Sequence, residues 1–115
     1  MQVQWTNKAK SRLEEIEAYI AQESPAAAAK IIHAIIKKTA TQLSKYTDSS
    51  KPGRLMGTRE LLFSDSPYLV VYTVRNNIVT ILTIFHTAQK FDKAEVPAVA
   101  ERKIPIKRYY KIICV

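Results

Sequence analysis

Charged side chains that could take part in chemistry are concentrated in the second half of this 115-residue chain. Arg54 and Arg59 lie just before Glu60, and His86 follows a long apolar run. A histidine can exchange protons near neutral pH, and arginines bind carboxylates or phosphates. The alternative, purely structural roles are an ordinary surface position or an intramolecular ion pair for Arg59, and for His86 a hydrogen bond that fixes the terminal loop. Both interpretations of these residues remain open from the residues alone.

The net charge of +8 is distributed unevenly along the chain. Residues 1–50 carry 7 Lys/Arg and 5 Asp/Glu, a charge of +2, and residues 51–115 carry 11 and 5, a charge of +6. The second half is therefore the better surface for an acidic protein or a nucleic acid. Simple solubility explains the charge equally well.

Cysteine content and hydropathy limit the class of protein. The single Cys114 excludes an internal disulfide framework and a multi-cysteine zinc site, and the two histidines and the cysteine lie far apart in sequence. The polar residues after Trp5 do not form a signal peptide, and no apolar run is long enough to span a membrane. We therefore expect a cytoplasmic protein that uses no metal and no cofactor.

The elements that must position these side chains can be predicted from periodicity. Val3 and Trp5 alternate with polar residues, which predicts a short strand, and Thr6 or Asn7 can cap a helix. Ser24-Pro25 begins a second helix that runs to about Tyr46. The short connection between the two helices predicts an antiparallel hairpin.

Three β-rich runs follow at about 59–64, 68–75 and 78–85, and Asn76-Asn77 suits the tight turn between the last two. Their threonines, at positions 73, 80 and 83, predict a wetter face of the sheet. The chain is thus predicted to be α+β, with an N-terminal strand and a helix hairpin packed on a mainly antiparallel sheet of three to four strands. Residues 1–91 form the domain, and residues 92–115 are an extension that either adds an edge strand or has little fixed structure.

Several short motifs accompany this order of elements. They are Pro52-Gly53-Arg54, Gly57-Thr58-Arg59-Glu60-Leu61, Tyr68-Leu69-Val70-Val71-Tyr72, Ile81-Leu82 and His86-Thr87-Ala88-Gln89-Lys90-Phe91. In their order and spacing, residues 1–91 resemble the ParE/RelE toxin superfamily of bacterial type II toxin–antitoxin modules.

One branch of the superfamily, RelE-like, cleaves mRNA on the ribosome. Such cleavage needs a general base, cations that stabilise the charge on the phosphorus centre, and an acid for the leaving oxygen. Where those members have arginines and a final Tyr or His, this chain has Leu69, Ala88 and Phe91. If the chain were nonetheless an endoribonuclease, the resemblance implies a catalytic set drawn from four residues. They are Arg54, Arg59, His86 and Lys90.

The other branch, ParE-like, shares the Gly-x-Arg-Glu segment and the His-x-x-Gln-x-aromatic ending of this sequence. That branch inhibits DNA gyrase by binding, which requires no complete acid–base set. The resemblance implies a toxin that a cognate antitoxin neutralises in a hetero-oligomer, with operator DNA contacted only through the antitoxin. The residues expected to contact the target or the antitoxin are Arg54, Arg59, Glu60, His86, Gln89, Lys90 and Phe91.

Position 83 departs from the pattern of the ParE-like branch. Many relatives carry an arginine where this chain has Thr83. Loss of that cation would reduce toxicity, so an attenuated toxin that only binds its antitoxin is a third interpretation.

Overall fold

Two long helices pack on one face of a mixed β-sheet in a computed structural model that describes residues 2–45, 51–55, 57–63, 66–88, 90–97 and 103–104. This α+β arrangement confirms the fold class predicted from the sequence. The elements are β1 (Gln2–Thr6), α1 (Asn7–Ala21), α2 (Pro25–Lys45), β2 (Lys51–Pro52), β3 (Arg59–Leu62), β4 (Tyr68–Arg75), β5 (Ile78–His86), a 3₁₀ turn (Lys93–Glu95) and β6 (Lys103–Ile104).

Both helices begin where a hydroxyl side chain can cap them. The Thr6 Oγ1 accepts a hydrogen bond from the Ala9 N–H at 3.1 Å, and the Ser24 Oγ accepts one from the Ala27 N–H at 3.2 Å. Each cap satisfies an N–H group that has no partner inside its helix. The apolar stripes of the two helices are buried against the sheet, and they comprise Ala9, Leu13, Ile16, Ala28, Ile32, Ile35, Ile36 and Leu43.

The strands lie in the order β2-β3-β4-β5-β1-β6 across the sheet. β1 runs parallel to β5, and the other neighbouring strands are antiparallel. Asn76 and Asn77 adopt φ values of 53° and 61°, as a two-residue turn with two positive φ angles requires. Lys103 and Ile104 of the C-terminal extension pair with Thr6 and Trp5, so this part of the extension forms an edge strand.

A second apolar cluster covers the face of the sheet that is turned away from the helices. It consists of Leu69, Val71, Leu82 and Phe85, and Phe91 and Val96 pack against it. The prediction that the strand threonines mark a wetter face was wrong, because Thr73, Thr80 and Thr83 are only 3%, 3% and 0% exposed. Phe91 and Val96 belong to the segment after β5, which therefore folds back over the second apolar cluster.

Polar side chains of β1 and α1 fix the first helix to the far half of β5. β1 pairs only with residues 78–81 of β5, so the next carbonyls on that edge need other donors. The Thr6 hydroxyl lies 3.0 Å from the Ile81 oxygen and 2.9 Å from the Leu82 oxygen. Arg12 Nε donates to the Ile84 oxygen at 3.0 Å. These bonds place α1 beside the end of β5, where several candidate residues lie.

Candidate functional site

Glu60 is a fully buried carboxylate that organises the loop before β3. Its side chain is 0% exposed, and its Oε1 lies 3.6 Å from Arg54 Nε. Its Oε2 accepts a hydrogen bond from the Arg54 backbone N–H at 2.9 Å. A buried carboxylate is costly unless it is paired and hydrogen-bonded. Glu60 therefore holds both the backbone and the guanidinium of Arg54 in place.

The loop that carries Arg54 closes on itself through Gly53 and Thr58. The Gly53 N–H donates to the Thr58 carbonyl at 2.8 Å, and the Thr58 hydroxyl donates to the Leu55 carbonyl at 2.7 Å. A Cβ at position 53 would lie 2.1 Å from Thr58 Oγ1 and 3.0 Å from the Thr58 backbone. Gly57 has φ +80°, a conformation that favours glycine. The Pro-Gly-Arg and Gly-Thr-Arg-Glu motifs thus have a local structural reason.

The Arg54 guanidinium extends from this loop to Phe91 beyond the last strand. Its Cζ lies 4.4 Å from the centre of the Phe91 ring, within the range of a cation–π interaction. The Phe91 ring in turn lies 4.9 Å from that of Phe85, centre to centre. Arg54, Glu60 and Phe91 therefore form one contiguous cluster, which we call the Arg54 cluster.

His86 has a separate set of neighbours at the end of β5. Its Nδ1 accepts a hydrogen bond from the Ala88 N–H at 3.0 Å, and its ring meets Tyr68 edge to face at 5.3 Å. The hydrogen bond with Ala88 fixes the turn after β5. This is the structural role considered for His86 in the sequence analysis. Burial raises the pKa of the Tyr68 hydroxyl, the nearby Tyr19 raises it further, and Arg12 opposes the shift.

Lys90 lines an open cavity of about 630 Å³ between α1 and the segment after β5. Lys8 and Arg12 supply two more cations on the α1 side, where Lys8 pairs with Glu95 and Arg12 with Glu15. The described lining thus balances three cations against three carboxylates, Glu15, Asp92 and Glu95. Such a balance does not make a strong anion site, because the carboxylates repel a phosphate about as much as the cations attract it.

Comparison with known proteins decides the family. The model of the family described as the ParE toxin of the type II toxin–antitoxin system, parDE, matches residues 3–91. The candidate toxin Y4kP of Sinorhizobium fredii is 40% identical over 89 residues, which are 77% of this chain and 91% of that protein. The chain belongs to the ParE toxin family. A chain from the chromosomal ParDE system of P. aeruginosa superposes with a TM-score of 0.68 at 25% identity, covering 75% of this chain and 95% of that one.

The region that matches the ParE family contains all the predicted site residues, but the structure brings only some of them together. Arg54, Glu60 and Phe91 are in contact, and Lys90 lines the same cavity as Phe91. Arg59 is half-buried at the start of β3, opposite Tyr72 and Pro52 in register. Gln89 lies outside the described residues.

Sequence reasoning missed Arg12 of this ParE-family chain. Arg12 bonds the Ile84 carbonyl of β5, pairs with Glu15 and lines the cavity that Lys90 also lines. The available signal was its place beside the buried Leu13 and three residues before Glu15, a spacing at which helical side chains meet. That signal indicates an ion pair but not the contact with β5.

The described part of the chain contains neither a metal-binding group nor a membrane-spanning helix. Its His, Asp and Glu residues form no cluster of three or more that could hold a metal ion. Among the helices of those residues, none has the length and apolar character needed to cross a bilayer.

Proposed function

We propose that this ParE-type toxin inhibits DNA gyrase by binding to it, and that a cognate antitoxin neutralises it in a hetero-oligomer. Membership of the ParE family and the similarity to a chain of a chromosomal ParDE system support this proposal. The inhibition would act in the cytoplasm, with DNA breaks and blocked replication as the outcome. Inhibition by binding requires a surface that recognises gyrase, and the toxin itself need not catalyse a reaction.

The Arg54 cluster is the observation that carries the proposal. Arg54 is 54% exposed while Glu60 beneath it is fully buried, so the guanidinium is held in a fixed position and remains accessible. Such preorganisation suits recognition of an acidic surface, because less side-chain freedom is lost on binding. We assign target or antitoxin contact to Arg54, Arg59, His86, Gln89, Lys90 and Phe91, with Glu60 as the residue that positions Arg54.

An endoribonuclease is the less favoured function. His86, the candidate acid–base group, uses Nδ1 to accept the Ala88 N–H and so fixes the turn after β5. The chain also lacks the arginines and the final hydroxyl or imidazole of the RelE-like pattern at Leu69, Ala88 and Phe91. A binding inhibitor needs none of these groups.

An attenuated toxin that only binds its antitoxin is a second candidate, and Thr83 is the observation that favours it. A threonine carries no charge, and this side chain is 0% exposed, so the position offers neither a cation nor an accessible contact to a target. In this candidate function the residues assigned above would contact the antitoxin and not a target.

Induced expression of the chain without an antitoxin tests the proposal. A gyrase inhibitor should cause filamentation and a DNA-damage response, and Arg54→Gln should weaken both effects while Arg75→Gln, a matched exposed arginine at the β4–β5 turn, should not. Rapid translation arrest with cleaved mRNA would contradict the proposal. Unchanged growth, with folded protein confirmed in the cell extract, would establish the attenuated toxin instead.

A further inference from the structure

A short segment after β5 returns to the sheet and carries contacts of its own. It comprises residues 90–97, and we call it the return segment. Phe91 and Val96 both pack against the second apolar cluster. Between them lies a tight turn, in which the Asp92 carbonyl accepts the Glu95 N–H at 3.0 Å. The turn lets two apolar side chains five residues apart reach the same face of the sheet.

An ion pair joins the return segment to α1. The Glu95 carboxylate pairs with the Lys8 ammonium, and the two side chains are 43% and 31% exposed. Lys8 lies in the first turn of α1, and Thr6, which caps that turn, is hydrogen-bonded to two carbonyls of β5. The ion pair therefore attaches the return segment to a part of the molecule whose position relative to β5 is set by other bonds.

Phe91 is the residue at which the return segment meets the Arg54 cluster. Its ring lies 4.9 Å from the Phe85 ring, centre to centre, and 4.4 Å from Arg54 Cζ. The guanidinium also lies 3.6 Å from Glu60, but it is 54% exposed, so water screens that ion pair. The face of an aromatic ring adds a directional contact. The direction in which Arg54 presents its charge therefore depends on where the return segment holds Phe91.

We propose that Val96 and Glu95 are positioning residues for the contact between Arg54 and the target, an inference that rests on the proposed function. Val96 holds the return segment on the sheet, and Glu95 holds it on α1. Phe91 transmits the effect of both to the guanidinium, so neither residue needs to contact the target itself. Both lie beyond the residues that match the ParE family, and the motifs of that match do not contain them.

A purely structural role, the covering of the second apolar cluster, is the competing explanation. The four residues of that cluster are at most 6% exposed, and their burial stabilises the fold wherever Arg54 points. The two explanations differ in one measurable respect. Positioning requires that a change at Val96 or Glu95 moves the Arg54 guanidinium relative to the Phe91 ring, whereas covering requires only that it lowers the free energy of unfolding.

NMR of the full chain measures the position of Arg54 directly. Protons above the face of an aromatic ring are shifted upfield by the ring current, so the side-chain protons of Arg54 report their contact with Phe91. The Phe91→Leu variant, which has no ring, supplies the reference for complete loss of this shift. The measurement requires neither gyrase nor an antitoxin, and circular dichroism confirms that each variant is folded.

Two variants release the return segment without altering either residue of the ring contact. Val96→Asp places a charge against the apolar cluster, and Glu95→Lys turns the attraction to Lys8 into a repulsion. The charge-matched control for the first is Ala26→Asp, at an exposed position in the first turn of α2. The control for the second is Glu14→Lys, because Glu14 is an exposed residue of α1 that also pairs with a lysine.

We expect Val96→Asp to lose most of the upfield shift and Glu95→Lys to lose part of it, while both controls keep it. The double variant Lys8→Glu/Glu95→Lys should regain the shift, because the ion pair is restored with its charges exchanged. An unchanged shift in either single variant would overturn the role of that residue. Glu95→Lys alters a partly exposed pair, so it decides the question even if Val96→Asp does not fold.

Inhibition of gyrase supercoiling tests whether this position matters for function. The concentration of Glu95→Lys that halves supercoiling should be about two- to fivefold higher than that of the wild type, the factor expected for loss of one cation–π contact. In an Arg54→Gln background Glu95→Lys should have no further effect, because it acts through Arg54. An equal rise in that background, or a displaced guanidinium with unchanged inhibition, would overturn the inference.

The two measurements separate this inference from the proposed function. Inhibition by the wild type, together with an Arg54 side chain that does not move in the variants, refutes the positioning role and leaves the gyrase inhibitor intact. Absence of inhibition by the folded wild-type chain, whatever the NMR shifts, refutes the proposed function and this inference with it.

Discussion

Removing the Arg54 side chain should destabilise the protein through the buried Glu60 that it partners. At 3.6 Å between Arg54 Nε and Glu60 Oε1, the attraction is about 4–5 kcal/mol at an effective dielectric constant of roughly 20. Because the guanidinium is 54% exposed, solvent screening reduces the net contribution to about 1–2 kcal/mol. The contact with Phe91 adds about 0.5–1 kcal/mol. Arg54→Ala should therefore lower the free energy of unfolding by about 1.5–3 kcal/mol.

A double-mutant cycle with Glu60→Gln isolates the charge from the packing. The amide oxygen of a glutamine can still accept the Arg54 N–H, and a neutral side chain avoids the cost of a buried charge, so Glu60→Gln alone should change stability by less than about 1 kcal/mol. In the Glu60→Gln background Arg54→Ala should cost about 1–2 kcal/mol less than in the wild type.

Urea unfolding followed by circular dichroism measures all four corners of this cycle. The control cycle pairs Glu60→Gln with Arg75→Ala, which should be additive within about 0.3–0.5 kcal/mol. A coupling between Arg54 and Glu60 no larger than that of the control would refute the role assigned to the buried carboxylate.

Three further predictions concern the second apolar cluster and the end of β5. Thr83→Val should raise the free energy of unfolding by about 1 kcal/mol, because the buried hydroxyl has no hydrogen-bond partner among the described residues; an equal or lower urea midpoint would contradict this. Phe91→Leu should keep the apolar contact with Phe85 but lose the ring beneath Arg54, which should lower the free energy of unfolding by about 0.5–1 kcal/mol. This loss should disappear in the Arg54→Ala background. A loss that persists there would assign Phe91 to packing alone. The pKa of Tyr68 is raised above the ordinary value of 10.0, chiefly by burial. The folded state therefore holds the hydroxyl proton more tightly than the unfolded chain does. As a result the contribution to stability is full below about pH 10 and falls above it. Tyr68→Phe should make that fall shallower in urea titrations at several alkaline pH values, and an unchanged slope would contradict the assignment.

Most of the fold could be predicted from local signals in the sequence. The caps at Thr6 and Ser24, the apolar stripes of the two helices and the Asn76-Asn77 turn each depend on residues close together in the chain. The second apolar cluster could not be predicted as covered, because Phe91 and Val96 return to it from beyond β5. Threonine has no strong preference for a buried or an exposed position in a strand, so the threonines do not reveal contacts with a segment distant in sequence.

The contacts among the candidate residues could not be predicted from the sequence. Arg54, Glu60 and Phe91 stood out through their motifs, yet nothing local indicates that the guanidinium would lie between a buried carboxylate and a ring 37 positions later. His86 likewise offered acid–base chemistry in sequence and serves in the structure to fix the turn at Ala88.

The supercoiling activity of purified DNA gyrase tests the central proposal most directly. Adding the purified chain to gyrase and relaxed plasmid should abolish supercoiling and trap cleaved DNA, and the Arg54→Gln variant should require a higher concentration for the same effect. Undiminished supercoiling at a large excess of folded protein, together with mRNA cleavage when the chain is added to translating ribosomes, would contradict the account.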